Sequence, residues 1–580
     1  MAQQQFQFQF TDIEKLVETF QNMEVSMPKL GEPELQPDEK KEEEEEQIED
    51  EELPEFQEIA LENGFSLLPH QKKAIQVVLH REEQPLHGIR GLILSLEMGL
   101  GKTLIGTMVV ALTANQATTA TLLVCNKSLL YNMHFEIQKF FGNRLRTLLF
   151  HRDILREEFL KFNQETARKN HVIVVTYDTL LILARAAGYL AKSKFRGSEM
   201  QRRALANVGQ IFFQIPWFRI IADESQKFSN PKSLIYQTMM LFPPGRRLCL
   251  TGTPIRNYDN DLFAQLRFCG LTKIEKLAHW TIQRYKQFNL NQAIFFMSME
   301  DANLDLPPRK DEKVVLVLTP FETQLYNLFF QTSAQTLMAF KKKEGGVKYA
   351  NVLEKFTRLR QLCIAPYLIT PESKKGKLTN EDKKRKIPGS ILGPNYIPME
   401  TMMRQPAGVM GIESTKMKGL LEIVQKIPLE DKALIFSNWS SSTHLAQLCL
   451  QQHFPADSVL FVDGKTKDRN QVFANFRGTP HIRFLCMTSV GAVGLTLTEA
   501  NHVILLEPHW NETQNEQASA RVWRIGQTKP VTIWELVVKN SIEEKMIEIC
   551  NQKNNSRDAI LAQGISMETL EMLLGIKFDP

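Results

Sequence analysis

The sequence lacks the features of membrane-spanning and secreted proteins. No apolar run approaches the roughly 20 residues that a transmembrane helix needs, so we expect neither an integral membrane protein nor a membrane partner. The N-terminus reads MAQQQFQFQF and has neither the basic start nor the apolar centre of a secretory signal. The seven cysteines are scattered without a CxxC pair, which argues against a disulfide framework and against a structural zinc site. We therefore expect a protein of a reducing compartment.

The length and composition are those of a multidomain globular protein. At 580 residues the chain is too long for one hydrophobic core, and its length predicts two to four domains. Apolar residues make up 43% and charged residues 23%, an ordinary mixture that excludes disorder over the whole chain.

Charge is distributed unevenly along the chain. Residues 38–52 contain eleven acids and two lysines, which gives this segment a net charge of −9. Because the whole chain carries +4, the remainder carries +13. A basic body favours a polyanionic partner, but charge alone fits a solvated surface equally well. Composition does not identify the partner of the acidic segment.

The pattern of apolar residues predicts two α/β lobes. Short apolar runs alternate with amphipathic stretches over 55–270, and a second such series covers 414–550. This alternation is typical of βαβ units around a parallel sheet. Buried strands are predicted at 91–95, 120–125, 171–176, 217–222 and 247–250 in the first lobe, and at 433–437, 459–462, 484–488, 502–506 and 531–537 in the second.

The other segments are predicted to lie outside the two lobes. Residues 1–54 hold a Gln/Phe stretch and the acid run, and we expect them to be disordered. Residues 271–413 are predicted to form a helical inter-lobe region with an exposed lysine-rich loop at 371–386. Residues 551–580 are predicted to be a C-terminal tail.

A candidate phosphate site follows the first predicted strand and precedes a predicted helix. Gly99 and Gly101 permit a backbone turn that points amide groups at phosphate oxygens, and the helix adds its N-terminal partial charge. Lys102 is placed to reach the β- and γ-phosphates, and the Thr103 hydroxyl to bind Mg²⁺. Leu96 stands where the strict GxxxxGK[ST] pattern requires glycine, so this motif alone is a modest signal.

An acidic pair follows another predicted strand. The run WFRIIADESQ ends in Asp223 and Glu224, which are the residues expected to hold Mg²⁺ and to act as general base towards the attacking water, respectively. Alone, such a pair usually marks the end of a strand. Together with the phosphate site, it predicts nucleotide hydrolysis.

Ordered blocks over residues 65–550 resemble the Swi/Snf-related, helicase-like ATPases of superfamily two. The blocks follow the order of that family's motifs, beginning with LPHQ (68–71) and EMGLGKT (97–103) and ending with the highly specific QASARVWRIGQ (517–527). The blocks between them are LVCNKSLL (123–130), VVTYDTL (174–180), DESQ (223–226), LTGTPIRN (250–257), LPPRK (306–310), LRQLC (359–363), ALIFSNW (433–439) and TSVGAVGLTLTEAN (488–501).

The resemblance implies two RecA-like lobes in tandem that bind ATP and Mg²⁺ between them. The resemblance also implies that Gln71 recognises the adenine base by hydrogen bonds. It also implies nucleotide contacts at Glu97, Met98, Gly99, Leu100, Gly101, Lys102, Thr103, Gln226, Gly494 and Gln517, with Thr103 and Asp223 as the metal-binding residues.

Two departures from the family pattern are visible. Leu96 replaces an acid that is common there, which we expect to change packing while leaving the phosphate contacts intact. Gln226 replaces the histidine that in the family links the metal site to the block at 250–257. Because glutamine both donates and accepts hydrogen bonds, we expect altered coupling without its loss.

Two arginines of the last block are candidates for completing the site. Arg521 and Arg524 are three residues apart, so on a helix they would share one face. If the lobes close, both are predicted to point at the γ-phosphate as arginine fingers supplied in cis. Catalysis is therefore assigned to Lys102, Glu224 and these two arginines.

The leading functional prediction is a DNA-dependent ATPase that moves along duplex DNA and displaces or remodels bound protein. The preference for duplex DNA comes from the resemblance alone. A strand-separating DNA or RNA helicase and a nucleotide-gated transcription-release factor with little turnover remain open. Chromatin or a transcription, repair or replication complex are the candidate partners, and the expected location is the nucleus or, for a viral protein, the site of viral DNA metabolism.

Overall fold

The computed structural model describes residues 59, 61–155, 157–191, 198–252, 258–274, 287–342, 348–368, 414–466, 468–488, 496–509, 512–555 and 572–573. Four predicted features lie wholly or mainly outside these residues. They are the N-terminal region at 1–54, the lysine-rich loop at 371–386, the nucleotide contact at Gly494, and the C-terminal tail at 551–580.

The first lobe is built on a parallel sheet. Its strands are β1 (Gly91–Leu96), β2 (Thr121–Cys125), β3 (Thr147–Phe150), β4 (Val172–Thr176), β5 (Arg219–Asp223), β6 (Arg246–Thr251) and β7 (Ile294–Met297). They lie in the order β3-β4-β2-β5-β6-β1-β7, and every neighbouring pair is parallel. All residues of β1, β2, β4 and β5 are buried, as expected for strands covered on both faces.

Helices connect and cover these strands. They are α1 (Pro69–Glu83), α2 (Lys102–Leu112), α3 (Leu130–Phe141), α4 (Arg152–Leu155), α5 (Gln164–Lys169), α6 (Tyr177–Ala186), α7 (Glu199–Gln214), α8 (Leu234–Met239) and α9 (Tyr258–Cys269). Local sequence fixes their starts: Pro69 is the first residue of α1, and the Thr176 side chain caps α6 by accepting from the Thr179 amide.

The second lobe repeats this plan. Its strands are β8 (Arg309–Leu316), β9 (Ala433–Ser437), β10 (Val459–Val462), β11 (Phe484–Thr488), β12 (His502–Leu505) and β13 (Val531–Val538), in the all-parallel order β10-β11-β9-β12-β13-β8. Its helices are α10 (Pro320–Lys341), α11 (Tyr349–Ile364), α12 (Thr415–Lys426), α13 (Ser440–His453), α14 (Arg469–Gly478), α15 (Glu512–Ser519) and α16 (Ile542–Asn555). The prediction of two parallel-sheet α/β lobes is confirmed. Among the described helices, none combines the length and apolar character that crossing a bilayer requires.

The region predicted as a helical inter-lobe insertion, 271–413, divides between the lobes. It contributes β7 to the first sheet, paired with β1, and β8 to the second, paired with β13 along its whole length. Helices α10 and α11 follow β8 and pack on each other through Leu325 and Phe356. The helical content was expected, but the two edge strands were not.

The topology brings three strand ends together. Because β5, β6 and β1 are neighbours and run parallel, the segments that follow them share the carboxyl edge of the first sheet. Those segments hold residues 97–101 after β1, Glu224 after β5 and Gly252 after β6. Ligands of open parallel sheets bind at this edge.

Candidate functional site

The turn between β1 and α2 can be formed only by glycine at two positions. Gly99 has φ = 101° and Gly101 has φ = 87°, both in the left-handed region. A side chain at Gly101 would place its Cβ 2.6 Å from the Gln71 amide nitrogen, and one at Gly99 would lie 3.1 Å from the Arg524 Cβ. The turn is therefore closed in by both lobes.

Gln71 holds this turn in place. Its side-chain nitrogen donates to the Leu100 carbonyl at 3.3 Å, and its side-chain oxygen accepts from the Leu68 amide at 3.1 Å. His70 also lies 3.2 Å from the same Leu100 carbonyl. Leu100 itself is fully buried, so the position predicted to contact the nucleotide has a packing role in this structure.

Lys102 begins α2 and lies against the turn. Its ammonium donates to the carbonyl of Leu96 at 2.7 Å and to that of Glu97 at 3.2 Å. Burial lowers the pKa of Lys102 to about 8, although the carboxylates of Glu224 and Asp223 oppose this shift. The Glu97 carboxylate accepts from the Met299 amide at 2.8 Å.

The acidic pair stands at the end of β5. Glu224 adopts a left-handed conformation with φ = 50°, which turns the chain into a short 3₁₀ segment. Burial and the neighbouring Glu224 raise the pKa of Asp223 to about 8, against the pull of Lys102. The backbone carbonyl of Asp223 accepts a hydrogen bond from the Tyr177 hydroxyl at 2.8 Å, which anchors this strand end to α6.

Gln226 links the acidic pair to the end of β6. The Thr251 hydroxyl donates to the Gln226 side-chain oxygen at 2.9 Å, and the Gln226 amide donates to the Glu224 carboxylate. Gln226 is 5% exposed, so solvent does not compete for these bonds. The glutamine thus uses one acceptor and one donor, which is the capacity expected of it in place of histidine.

A cavity of about 450 Å³ joins these elements with the second lobe. Its wall includes eight of the predicted residues from the first lobe and two from the second. They are Gln71, Met98, Gly99, Gly101, Lys102 and Thr103, with the Asp223–Glu224 pair beside them, and Arg521 and Arg524 opposite. Glu97, Leu100, Gln226 and Gln517 lie outside the wall, the last on α15.

The two arginines do not lie on a helix, contrary to the sequence prediction. Helix α15 ends at Ser519, and Arg521 and Arg524 occupy the turns that follow it. The Arg521 carbonyl accepts from the Leu497 amide at 2.9 Å, a tertiary bond that replaces a further helical turn. Burial and the neighbouring Arg524 lower the pKa of Arg521 to about 10, so this end of the cavity favours an anion.

Four residues that line the cavity were not predicted from the sequence, because they belong to no motif quoted above. Phe65 and Phe140 form an edge-to-face pair with ring centres 5.2 Å apart, and the Lys139 ammonium lies 4.8 Å and 5.3 Å from those centres. Glu136 lines the cavity one turn earlier on α3. The helical spacing of 136, 139 and 140 is a sequence signal that would have grouped the three residues on α3.

Comparison with protein families gives two matches that together span most of the chain. Residues 70–368 match the SNF2-related domain, and residues 415–526 match the helicase conserved C-terminal domain. The first match contains the turn after β1 and the acidic pair. The second contains both cavity arginines.

Similar proteins occur in viruses and in plants. The chain is 32% identical to the "Putative helicase 172L" of Invertebrate iridescent virus 6, over 88% of this chain and 92% of that protein. It is 29% identical to the "Probable global transactivator" of Orgyia pseudotsugata multicapsid polyhedrosis virus, over 83% and 88%. The "DNA repair and recombination protein RAD54" of Oryza sativa is 27% identical over 83% of this chain but only 50% of that protein.

Among solved structures, the Sulfolobus solfataricus SWI2/SNF2 ATPase core in complex with dsDNA is similar over 89% of this chain and 98% of that chain. The sequence identity is 22% and the TM-score is 0.36.

Proposed function

This chain belongs to the SNF2-related family of helicase-like ATPases, and we propose that it is a DNA-dependent ATPase that moves along duplex DNA and displaces or remodels bound protein. One observation carries the proposal: a single cavity is walled by Lys102 and Glu224 from the first lobe and by Arg521 and Arg524 from the second. A nucleotide held between two lobes makes the spacing of the lobes depend on the state of the nucleotide. If both lobes bind DNA, a change in the distance between them moves the protein along the DNA.

ATP binds with its phosphates at the turn after β1. The amides around Gly99 and Gly101 and the N-terminus of α2 bind the phosphate oxygens, and Lys102 exchanges its carbonyl partners for the β- and γ-phosphates. The adenine lies on the side of the cavity formed by Phe65 and Gln71. Each polar atom of the Gln71 side chain retains a second hydrogen-bonding position for the base.

The residues present fit a magnesium ion. The Thr103 hydroxyl and the Asp223 carboxylate offer the oxygen ligands that Mg²⁺ prefers, and both line the same cavity. The raised pKa of Asp223 shows that burial beside Glu224 destabilises its charge, which a bound cation would offset. When bound, Mg²⁺ neutralises phosphate charge during the transfer.

The chain's own residues then carry the hydrolysis. Glu224 orients the attacking water and accepts its proton, while Gln226 holds the Glu224 carboxylate towards the cavity. Arg521 and Arg524 stabilise the charge that develops on the transferred phosphoryl group. Since these arginines come from the second lobe, hydrolysis requires a closed cleft.

DNA is the polymer that the relatives and the charge favour. Two relatives carry names that refer to gene activation or to DNA repair and recombination. Outside residues 38–52 the chain carries a net charge of +13, because the whole chain has +4 and that segment −9. Two of the relatives described above are viral proteins, which favours a role in viral DNA metabolism over one in nuclear chromatin.

The structure argues against a release factor with little turnover, and it leaves strand separation to be tested. A release factor with little turnover would be favoured if Gln226, which departs from the family pattern, damaged the catalytic site. Its hydrogen bonds to Glu224 and Thr251 preserve the link between β5 and β6, so this departure gives no reason to expect weak turnover. Whether the protein separates the strands of a duplex is tested by the experiment described next.

The experiment measures ATP turnover with duplex DNA, single-stranded DNA, RNA and no nucleic acid, with Lys102→Ala as the inactive control. We expect duplex DNA to stimulate turnover most, and the protein to displace a third strand from a triplex while leaving a forked duplex intact. Strongest stimulation by RNA, or unwinding of the fork, would favour the helicase function. Equal turnover under all four conditions would refute the proposal.

A further inference from the structure

Glu136 places a third carboxylate in a cavity that must accept an anion. It lies on α3 and lines the cavity together with Thr103 and Arg524. The Thr103 hydroxyl is close enough to act as a hydrogen-bonding partner of its carboxylate, and the positive charges of Arg524, Lys139 and Arg521 favour the ionised form. Burial raises the pKa of Glu136, and these partners oppose the shift.

A solvated helix face does not explain this acid. Met133, Lys139 and Phe140 lie on the same side of α3 and line the same cavity, so the face that carries Glu136 is turned towards the cavity. Asp223 and Glu224 already supply the carboxylates that metal binding and proton transfer need. A further negative charge weakens the binding of a triphosphate by Coulomb repulsion, so a purely electrostatic design of the nucleotide site would omit it.

We propose that Glu136 is a positioning residue that orients the Thr103 hydroxyl in the first lobe and holds Arg524 of the second lobe. This inference rests on the proposed function and assigns a further residue to the same site. The link spans the two lobes, because Thr103 belongs to α2 and Arg524 follows α15.

The effect on Thr103 follows from the chemistry of a hydroxyl group. A threonine hydroxyl has one proton and two lone pairs. When the proton is donated to Glu136, the lone pairs are left for an electrophile in the cavity. Glu136 therefore presets Thr103 as an acceptor towards a metal ion, and removes the alternative in which Thr103 donates to a phosphate.

The effect on Arg524 is a matter of charge. Arg524 lies close to a like charge on Arg521, and burial lowers the pKa of both arginines. The Glu136 carboxylate offsets this repulsion and holds the Arg524 guanidinium at the mouth of the phosphate site. Without it, Arg524 remains charged but loses the negative charge that attracts it towards α3.

These two effects predict an unusual kinetic signature for Glu136→Gln. The neutral amide removes repulsion towards the triphosphate, so ATP should bind roughly threefold to tenfold more tightly. Arg524 is held less accurately, so kcat should fall by about tenfold or more. A lowered KM together with a lowered kcat is not the result of a damaged fold, which weakens binding and turnover together.

The experiment compares Glu136→Gln and Glu136→Ala with the wild type and with Glu165→Gln. Glu165 is an exposed acid on α5 that pairs with Lys169, so its substitution removes the same charge outside the cavity. The measurements are ATP affinity with Mg²⁺ and with EDTA by fluorescence of a labelled ATP, kcat and KM with saturating duplex DNA, and melting temperature. Glu165→Gln should match the wild type in all of them.

The two variants at position 136 separate the two effects. The glutamine side-chain oxygen still accepts the Thr103 proton, so Mg²⁺ should enhance ATP affinity in Glu136→Gln as in the wild type. Glu136→Ala lacks that acceptor, so the enhancement by Mg²⁺ should shrink. In an Arg524→Ala background, Glu136→Gln should cause no further loss of kcat, because the partner through which it acts is gone.

Distinct outcomes overturn the inference and the proposed function. Unchanged ATP affinity and kcat in Glu136→Gln, or a lower melting temperature with raised KM, would overturn the role of Glu136. Full additivity with Arg524→Ala would do the same. A wild type that binds ATP but hydrolyses none with any nucleic acid would overturn the proposed function, and the binding measurements would still decide whether Glu136 orients Thr103.

Discussion

The Thr251 hydroxyl donates a 2.9 Å hydrogen bond to the side-chain oxygen of Gln226. This bond connects the last residue of β6 to the loop that follows β5. Since the other end of the Gln226 side chain donates to Glu224, a change at the end of β6 reaches the proposed general base through one side chain. The bond between Thr251 and Gln226 is buried. The residue at position 226 therefore has to connect Thr251 to Glu224 by accepting one hydrogen bond and donating another.

The first prediction tests this connection. Gln226→Ala removes both bonds and leaves Glu224 without its partner, so DNA-stimulated turnover should fall by about 10²-fold, the cost of a misplaced catalytic group. Gln226→His restores a side chain that donates and accepts, and should retain most of the activity. The measurement is kcat with saturating ATP and duplex DNA, and a Gln226→Ala variant with wild-type kcat would show that the connection is dispensable.

The second prediction concerns the acidic pair. Glu224→Gln keeps the shape of the side chain but cannot accept a proton, so hydrolysis should slow by roughly 10²- to 10⁴-fold. Asp223 is unchanged, and ATP affinity with Mg²⁺ should stay within about twofold of the wild type by the same reasoning. Equilibrium binding and single-turnover hydrolysis on one preparation check both statements. Normal turnover would move the role of general base to another residue.

The third prediction concerns stability. Arg219 at the start of β5 is fully buried, and its guanidinium donates to both oxygens of Glu82 on α1 at 2.5 Å. Glu82→Gln leaves the buried guanidinium without its charge partner and should lower the free energy of unfolding by about 3–5 kcal/mol. Glu165→Gln, which breaks an exposed pair, should change the free energy of unfolding far less, because solvent screens that pair.

Denaturant titration of the two variants at constant pH measures this difference. Both substitutions replace a carboxylate by its amide, but Glu82 is buried and pairs with Arg219 and Arg246, whereas Glu165 is exposed and pairs with Lys169. Equal losses for the two variants would mean that burial of the Glu82–Arg219 pair does not increase its contribution.

The sequence was most informative where strands are buried on both faces. All ten predicted strands are present, because continuous apolar runs between polar residues have few alternative structures. The strands β3, β7 and β8 were missed. β3 and β7 have only four residues each. β8 is a sheet edge whose residues alternate in exposure and begin with the charged run RKDEK, so it lacks the apolar run that marked the predicted strands.

The candidate site likewise contains residues that the sequence predicts and residues that it does not. The turn after β1 and the acidic pair could be predicted because their chemistry requires particular residues next to one another. The helical placement of Arg521 and Arg524 was wrong, because a tertiary bond from the Leu497 amide ends the local pattern after Ser519. Glu136 could not be predicted, since one acid on an amphipathic helix looks like a solvated residue until the opposite lobe is in place.

The fourth prediction asks whether Arg524 of the second lobe acts through its positive charge alone or through the shape of its guanidinium group. Arg524→Lys keeps the positive charge but replaces the planar, forked guanidinium by an ammonium group, which makes fewer simultaneous contacts with phosphate oxygens. We expect it to recover less than about a tenth of the turnover that Arg524→Ala loses, by the preference for forked donors in such sites. Full recovery by lysine in steady-state turnover would reduce the role of Arg524 to that of a point charge.

The most direct test of the account is single-turnover ATP hydrolysis by the Arg521→Ala/Arg524→Ala variant, with saturating ATP, Mg²⁺ and duplex DNA. Melting temperature, ATP affinity and DNA affinity are measured on the same preparation. If both lobes form one catalytic site, the three controls stay near the wild type while hydrolysis falls by about 10³- to 10⁵-fold, the range for arginine fingers. A stable variant that binds ATP and DNA and hydrolyses at nearly the wild-type rate would contradict the account.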